Sequence, residues 1–107
     1  METARFVMDR DGRIVEWDSA AEAIYGFTAA EAVGKKMSEL IIPEHNRAAH
    51  EAGMKRFSQT RQGAFIGKTL TITSLHRDGH EFPVEITIGF EQSGDDYRFV
   101  NTARLAD

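Results

Sequence analysis

Hydrophobic and polar residues alternate most regularly near the end of the chain. Phe82, Val84, Ile86, Ile88 and Phe90 occupy every second position, and polar or small residues stand between them. This period of two predicts a β-strand with one buried face. Thr69, Thr71 and Thr73 alternate with Leu70 and Ile72 in the same way just before it. The C-terminal half of the chain is therefore predicted to form a β-sheet.

Four further strands are predicted, at residues 5–8, 13–17, 65–76 and 97–103. Asp and Gly cluster in the segments that separate strands, at residues 9–12, 77–80 and 93–96. Asp tolerates and Gly supplies the backbone angles that tight turns require, so these segments are predicted to be hairpin turns.

Two short helices are predicted between the second and third strands. Capping boxes that start at Ser19 and Thr28 place a Glu three residues later, where its carboxylate can bond a free backbone N–H. Gly26 and Gly34 are predicted to end these helices. Helices this short persist only when they are packed against other elements.

Residues 44–60 are predicted to form the longest helix, because Pro43 is suited to a helix start. His50, Met54 and Phe57 recur on one face of it, at spacings of four and three residues. The order of elements predicts an α+β fold, in which an antiparallel sheet carries its helices on one face.

Composition narrows the class of protein. The 107 residues suit a single domain, and the net charge of −4 argues against a nucleic-acid partner. There are no cysteines, which excludes disulfides, thiolate metal sites and chromophores attached through sulfur. No apolar run is long enough to cross a membrane. These features favour a cytoplasmic protein, and the absence of a nucleophile elbow or paired catalytic carboxylates favours one that is not an enzyme.

Several short motifs resemble those of PAS domains. They are DGRIVEW at residues 11–17, AAE at 20–22, YGF at 25–27 and RDGHEFPVE at 77–85. Their joint order and spacing cover nearly the whole chain. The resemblance implies a single PAS domain over residues 1–107, with a five-stranded antiparallel sheet of order 2-1-5-4-3 and one longer helix over it. It also implies a sensory module of two-component or other regulatory proteins, which binds a small-molecule ligand and relays its state to a homodimer partner or an output domain.

The segment Arg47-Ala48-Ala49-His50, with Arg56 and Ile66-Gly67 after it, resembles the haem PAS domains of oxygen-sensing rhizobial kinases. That resemblance implies haem b as cofactor, with His50 as the ligand of the haem iron and Arg56 near the propionates. A buried neutral imidazole can bind iron, and Gly53 would let a flat macrocycle approach the helix. The residues predicted to bind the cofactor are His50, Gly53, Met54, Arg56, Phe57, Phe65, Leu70, Ile86 and Ile88.

Position 70 differs from that subgroup. The oxygen sensors carry an arginine at this position, which hydrogen-bonds the bound oxygen, whereas this chain has Leu70. The same fold also serves as a ligand-free module for homodimerisation or protein docking, and His50 would then be a core histidine. A large exposed apolar patch would favour docking, whereas a hollow pocket under His50 would favour sensing.

The other histidines give no strong metal motif. His45 and His50 are five residues apart on the predicted helix and cannot share a metal. His76 and His80 flank a hairpin turn and can approach each other. Solvated turn residues are the preferred interpretation of that pair, and a two-histidine metal site is the alternative.

Overall fold

A computed structural model describes residues 3–60 and 66–106. In this part of the chain two strands come first, four helices follow and three strands end the fold. The strands are β1 (Ala4–Asp9), β2 (Ile14–Trp17), β3 (Thr69–Leu75), β4 (Glu81–Ser93) and β5 (Asp96–Leu105). The helices are α1 (Ser19–Tyr25), α2 (Ala29–Ala32), α3 (Met37–Ile41) and α4 (Glu44–Thr60).

The strands form one antiparallel sheet of order β2-β1-β5-β4-β3, which confirms the predicted order. The cross-strand register places inward residues in rows. One row joins Leu70, Ile86, Ala103 and Ala4 across four strands. Because side chains alternate between the two faces of a strand, this whole row lies on the face that the helices cover. The predicted α+β architecture is likewise confirmed.

Two aromatic clusters fill the space between sheet and helices. Phe6, Trp17 and Tyr25 pack together, with ring centroids 5.2 to 5.8 Å apart. Trp17 Nε1 also donates to the Phe27 carbonyl oxygen at 2.9 Å, so the indole N–H is not left unpaired. This cluster attaches α1 to the first two strands. The second cluster surrounds Phe57 of α4.

Two of the predicted helix ends are wrong. Asp18, rather than Ser19, caps α1, because its carboxylate accepts the Ala21 N–H at 2.8 Å. The α2 helix ends at Ala32, two residues before Gly34. The caps predicted at Thr28 and Gly26 are confirmed; Gly26 has the left-handed conformation.

The sequence pattern also missed α3, which has no side-chain cap and only five residues. Its hydrophobic residues, Met37 and Ile41, are buried. A helix this short gives no repeating pattern, and packing against α4 stabilises it. The long helix, α4, has the predicted bounds, whereas several strands extend beyond theirs, notably β4, which continues to Ser93.

Candidate cofactor site around His50

Contacts at its two ends hold α4 in place. Near its start, Arg47 Nε donates to the carbonyl oxygens of Ser38 and Ile42 at 2.9 and 3.0 Å. These bonds satisfy carbonyl groups at the end of α3 that lack a helical partner. Ser38 Oγ also donates a hydrogen bond to Glu51 Oε1 of α4, at 2.5 Å. The arginine of the Arg-x-x-His motif therefore positions the helix that carries His50, a role that sequence spacing did not indicate.

Phe57 anchors the other half of α4. Its ring lies 5.1 Å from Phe90, 5.5 Å from Tyr97 and 5.1 Å from Phe99, measured between centroids. All three contacts are edge-to-face arrangements, which aromatic rings favour. Phe57 is buried, and truncating a buried Phe to Ala typically costs about 3–5 kcal/mol. This residue therefore fixes the helix against the inner face of β4 and β5.

His50 lies on α4 between these two anchors. Its Nε2 atom is buried and has no hydrogen-bond partner among residues 3–60 and 66–106. Burial lowers the pKa of His50 below its usual value of 6.5, against a smaller opposing effect of the Glu51 charge. The imidazole is therefore neutral at physiological pH. A neutral, buried and unpaired ring nitrogen can bind a metal centre or a polar group of a ligand.

The sheet supplies an apolar wall from neighbouring strands. Leu70 pairs with Ile86 in the β3–β4 ladder. Ile88 lies two residues further along β4, on the same face as Ile86. Ile66, which precedes β3, forms an isolated β-bridge with Ile88. Ile86 is buried, and Ile88, Leu70 and Ile66 are partly buried members of the core. The structure thus brings three of the predicted wall residues together.

Met54 and Gly53 have different surroundings. Met54 is partly buried, and its Sδ would lie 3.2 Å from a Cβ placed on Gly12. The glycine of the first hairpin turn therefore leaves room for a side chain of α4, a contact that the local sequence does not reveal. Gly53 is exposed, and a Cβ there would meet no described atom within 4 Å. Gly53 therefore has no described neighbour that requires a glycine.

Two of the predicted site residues remain, Arg56 and Phe65. Arg56 is exposed on α4, and no pairing with an acidic side chain is seen for it in the described part of the chain. Phe65 falls outside the described residues. Within those residues, the candidate site consists of one unpaired imidazole, a half-buried thioether, the ring of Phe57 and an apolar wall.

Comparison with known proteins identifies the fold. Residues 1–99 match a family model described as the PAS fold. The chain belongs to the PAS family. PAS domains are sensory modules, and this chain is a sensory PAS domain. Among the described helices, none is long and apolar enough to cross a membrane.

Two curated proteins are similar to this chain in sequence. An uncharacterized protein of Azorhizobium caulinodans is 36% identical over 91 residues, which are 85% of this chain and 12% of that protein. The sensor protein FixL of Bradyrhizobium diazoefficiens is 33% identical over 101 residues, which are 94% of this chain and 20% of that protein. The PAS domain thus spans a fifth or less of these relatives.

A solved PAS domain from Colwellia psychrerythraea is similar in structure, with a TM-score of 0.73 and 21% identity. The alignment covers 97% of this chain and 86% of that one. A likeness at this level of identity shows the shared fold.

Proposed function

We propose that this PAS domain binds a small ligand or cofactor beside His50 and relays its state to a partner or output domain. The leading candidate is haem b, held through His50. One observation carries the proposal, the buried Nε2 of His50 that lacks a partner among the described residues. Burying a polar atom without a hydrogen bond costs free energy, so a ligand that bonds Nε2 would recover that cost.

The residues present fit a haem ligand set. His50 would hold the iron through Nε2, which is buried without a partner among the described residues, and burial favours the neutral imidazole that binds iron. Ile86, Ile88 and Leu70 would line the site and exclude water from it. Haem, when bound, supplies an iron centre that binds diatomic gases. The resemblance to rhizobial haem PAS domains and the 33% identity to a sensor protein of Bradyrhizobium support the same choice.

Leu70 sets the expected gas selectivity. Its side chain has no hydrogen-bond donor, and it pairs with Ile86 on the apolar wall. Carbon monoxide needs no donor for binding, whereas oxygen gains stability from one. We therefore expect carbon monoxide to bind well and oxygen to bind poorly, so the natural signal would be something other than oxygen in this domain.

The contacts of α4 suggest how a state would be relayed. Glu51 follows His50 directly and accepts the hydrogen bond from Ser38 of α3. Phe57 couples the same helix to β4 and β5. A ligand that favours one position of His50 would therefore shift both α3 and the sheet. Such a shift transmits a signal only if the ligand binds two states of the domain unequally.

The test is an absorption spectrum of protein produced with a supply of haem precursor. We expect a Soret band in the wild-type protein and in His45→Ala, which replaces an exposed histidine on the same helix. The band should be lost in His50→Ala. A colourless wild-type protein that also fails to bind added haemin would refute haem as the cofactor. If haem binds, Leu70→Arg should raise oxygen affinity relative to carbon monoxide.

The alternative is a ligand-free module for homodimerisation or docking. The Phe57 cluster favours it, because the rings already fill that part of the helix–sheet interface. The exposed surface gives it less support. The large exposed hydrophobic residues of the described chain are Val15, Val33 and Leu105, on three separate elements or loops. A protein that binds no haem, releases no small molecule on denaturation and forms a stable dimer in light scattering would favour this alternative.

A further inference from the structure

The hairpin turn between β3 and β4 brings three metal-ligating side chains together. The turn has the sequence His76-Arg77-Asp78-Gly79-His80, so the three donors lie at alternate positions. Their ligand atoms all lie within 4.8 Å of one another. Sequence spacing pointed only to the two histidines, and Asp78 is a third potential ligand that it missed.

The backbone of the turn causes this convergence. His76 N–H donates to the His80 carbonyl at 2.9 Å, and Gly79 N–H donates to the His76 carbonyl at the same distance. Gly79 has φ of 97°, a conformation that residues with a side chain rarely adopt. The two imidazole rings therefore stack, with centroids 4.8 Å apart and planes 21° from parallel.

One pair of donor atoms already has the spacing of two zinc ligands. His76 Nδ1 lies 3.3 Å from Asp78 Oδ1, and His80 Nδ1 contacts the same carboxylate oxygen. Zinc binds His nitrogen and carboxylate oxygen at about 2.0–2.2 Å, which separates two tetrahedral ligands by about 3.3–3.5 Å. The first pair meets that spacing as it stands, whereas the second pair is too close, so the His80 and Asp78 side chains would have to move apart.

The chemical states of the ligands also suit a cation. Asp78 is an exposed carboxylate, whose Oδ1 accepts the His80 backbone N–H at 2.9 Å. The Asp78 N–H donates to His76 Nδ1 at 3.1 Å, which identifies that nitrogen as an unprotonated acceptor. A metal would replace this bond and the His80–Asp78 contact. The neighbouring cation, Arg77, is paired with Glu31 of α2.

The turn is also attached to the rest of the domain. Arg77 N–H donates to the Tyr25 carbonyl at 3.0 Å, and the ring of His76 lies over Gly26. His76 is partly buried, whereas Asp78 and His80 are exposed. The site therefore has a fixed inner ligand, two outer ligands and an open side toward solvent.

We propose that His76, Asp78 and His80 form a surface site for a divalent transition-metal ion, with Zn²⁺ as the ion that fits. Imidazole and carboxylate donors suit Zn²⁺, whereas Mg²⁺ and Ca²⁺ prefer oxygen ligands alone. Three protein ligands leave the fourth position of a tetrahedral ion to water. The ion would join the start and end of the turn, and it would stabilise the folded domain because the unfolded chain lacks the site.

The test is titration of the tag-free protein with Zn²⁺, followed by calorimetry, and with Co²⁺ as a coloured substitute. We expect one ion per chain, a raised midpoint of thermal unfolding and a Co²⁺ spectrum of low coordination number. His80→Ala and Asp78→Asn should each weaken binding by at least about tenfold, since losing even an outer-shell partner of a metal ligand costs 10–100-fold. Both residues are exposed, so these variants should fold.

Two control variants separate this site from other histidines. His45→Ala removes an exposed histidine of α4 that contacts Glu81 beside the turn, and His50→Ala removes the proposed haem ligand; both should keep wild-type affinity for Zn²⁺. Unchanged affinity in both His80→Ala and Asp78→Asn, or no binding by the wild-type protein, would overturn the proposal. Because the readout is Zn²⁺ binding, failure here is distinguishable from failure of the haem proposal.

Discussion

Replacing Gly26 by Ala should destabilise the domain through two separate effects. Gly26 ends α1 with φ of 86°, where an L side chain is strained. A Cβ there would also lie 2.7 Å from Cε1 and 2.9 Å from Nε2 of His76. Neither distance is tolerated in folded proteins, so the imidazole or the helix end has to move.

The two effects have different magnitudes. A left-handed conformation costs an L residue about 1–2 kcal/mol, and the reduced freedom of the unfolded chain offsets about 0.4–1 kcal/mol of this. Overpacking adds about 1–3 kcal/mol. Gly34 supplies the matched control, because its φ is 91° and a Cβ there would meet no described atom within 4 Å. Gly34→Ala should therefore cost about 1 kcal/mol and Gly26→Ala about 2–4 kcal/mol.

Urea unfolding followed by circular dichroism measures both free energies of unfolding. A third measurement isolates the clash: in a His76→Ala background, Gly26→Ala should cost only about as much as Gly34→Ala. If Gly26→Ala and Gly34→Ala destabilise the protein equally, the ring of His76 moves aside freely and the close packing of the hairpin on α1 has no energetic weight. That result would also weaken the view of His76 as a fixed inner ligand.

Two further predictions concern the start of α1 and the protonation of His50. Asp18→Ala should lower the free energy of unfolding by about 1–2 kcal/mol, because it removes the hydrogen bonds that Ala21 N–H and Arg5 N–H donate to the Asp18 carboxylate. Ser19→Ala should change the free energy of unfolding by less than about 0.5 kcal/mol. If denaturant unfolding shows that Ser19→Ala costs more than Asp18→Ala, Ser19 is the cap. Because the folded pKa of His50 is lowered, stability is full above about pH 6.5 and falls as the unfolded chain takes up a proton at lower pH. Urea midpoints should therefore decline more between about pH 7.5 and about pH 5.5 in the wild-type protein than in His50→Gln, and equal declines would contradict the burial of a neutral imidazole.

Periodic patterns predicted the elements that have one buried face. The alternation from Phe82 to Phe90 identified β4, and the spacing of His50 and Phe57 identified the inner face of α4. The signal of β4 is strong because that strand is long and has one face toward the core. The signal of α4 is weaker, because Phe57 is its one buried residue and His50 and Met54 are partly buried. The sheet order came from the resemblance to PAS domains, since alternation alone does not specify which strands pair.

Contacts between residues that are distant in the sequence determine the features that the sequence did not predict. Asp18 and Ser19 are both good N-cap residues, and the choice depends on the Arg5 N–H, which bonds the Asp18 carboxylate from another strand. The surroundings of the His50 ring nitrogen are equally invisible in the sequence, because spacing gives the face of a helix but not the partner of an atom. The third ligand in the hairpin was missed because rules for paired histidines on helices do not describe a turn.

Strand β3 runs from the apolar wall of the candidate cofactor site to the hairpin turn of the proposed metal site. Leu70 belongs to the wall opposite α4, and His76 follows the end of β3 six residues later. At about 3.3 Å per residue, Leu70 and His76 are about 20 Å apart along the strand, beyond the range at which substitutions at two residues usually influence each other. Binding at one site would reach the other through α4, whose His45 contacts Glu81 beside the turn, or through β3 if that strand moves as a rigid unit. The ladder that joins β3 to β4 along its whole length provides such a unit, so the hairpin is a place where a change at the candidate cofactor site could reach the surface.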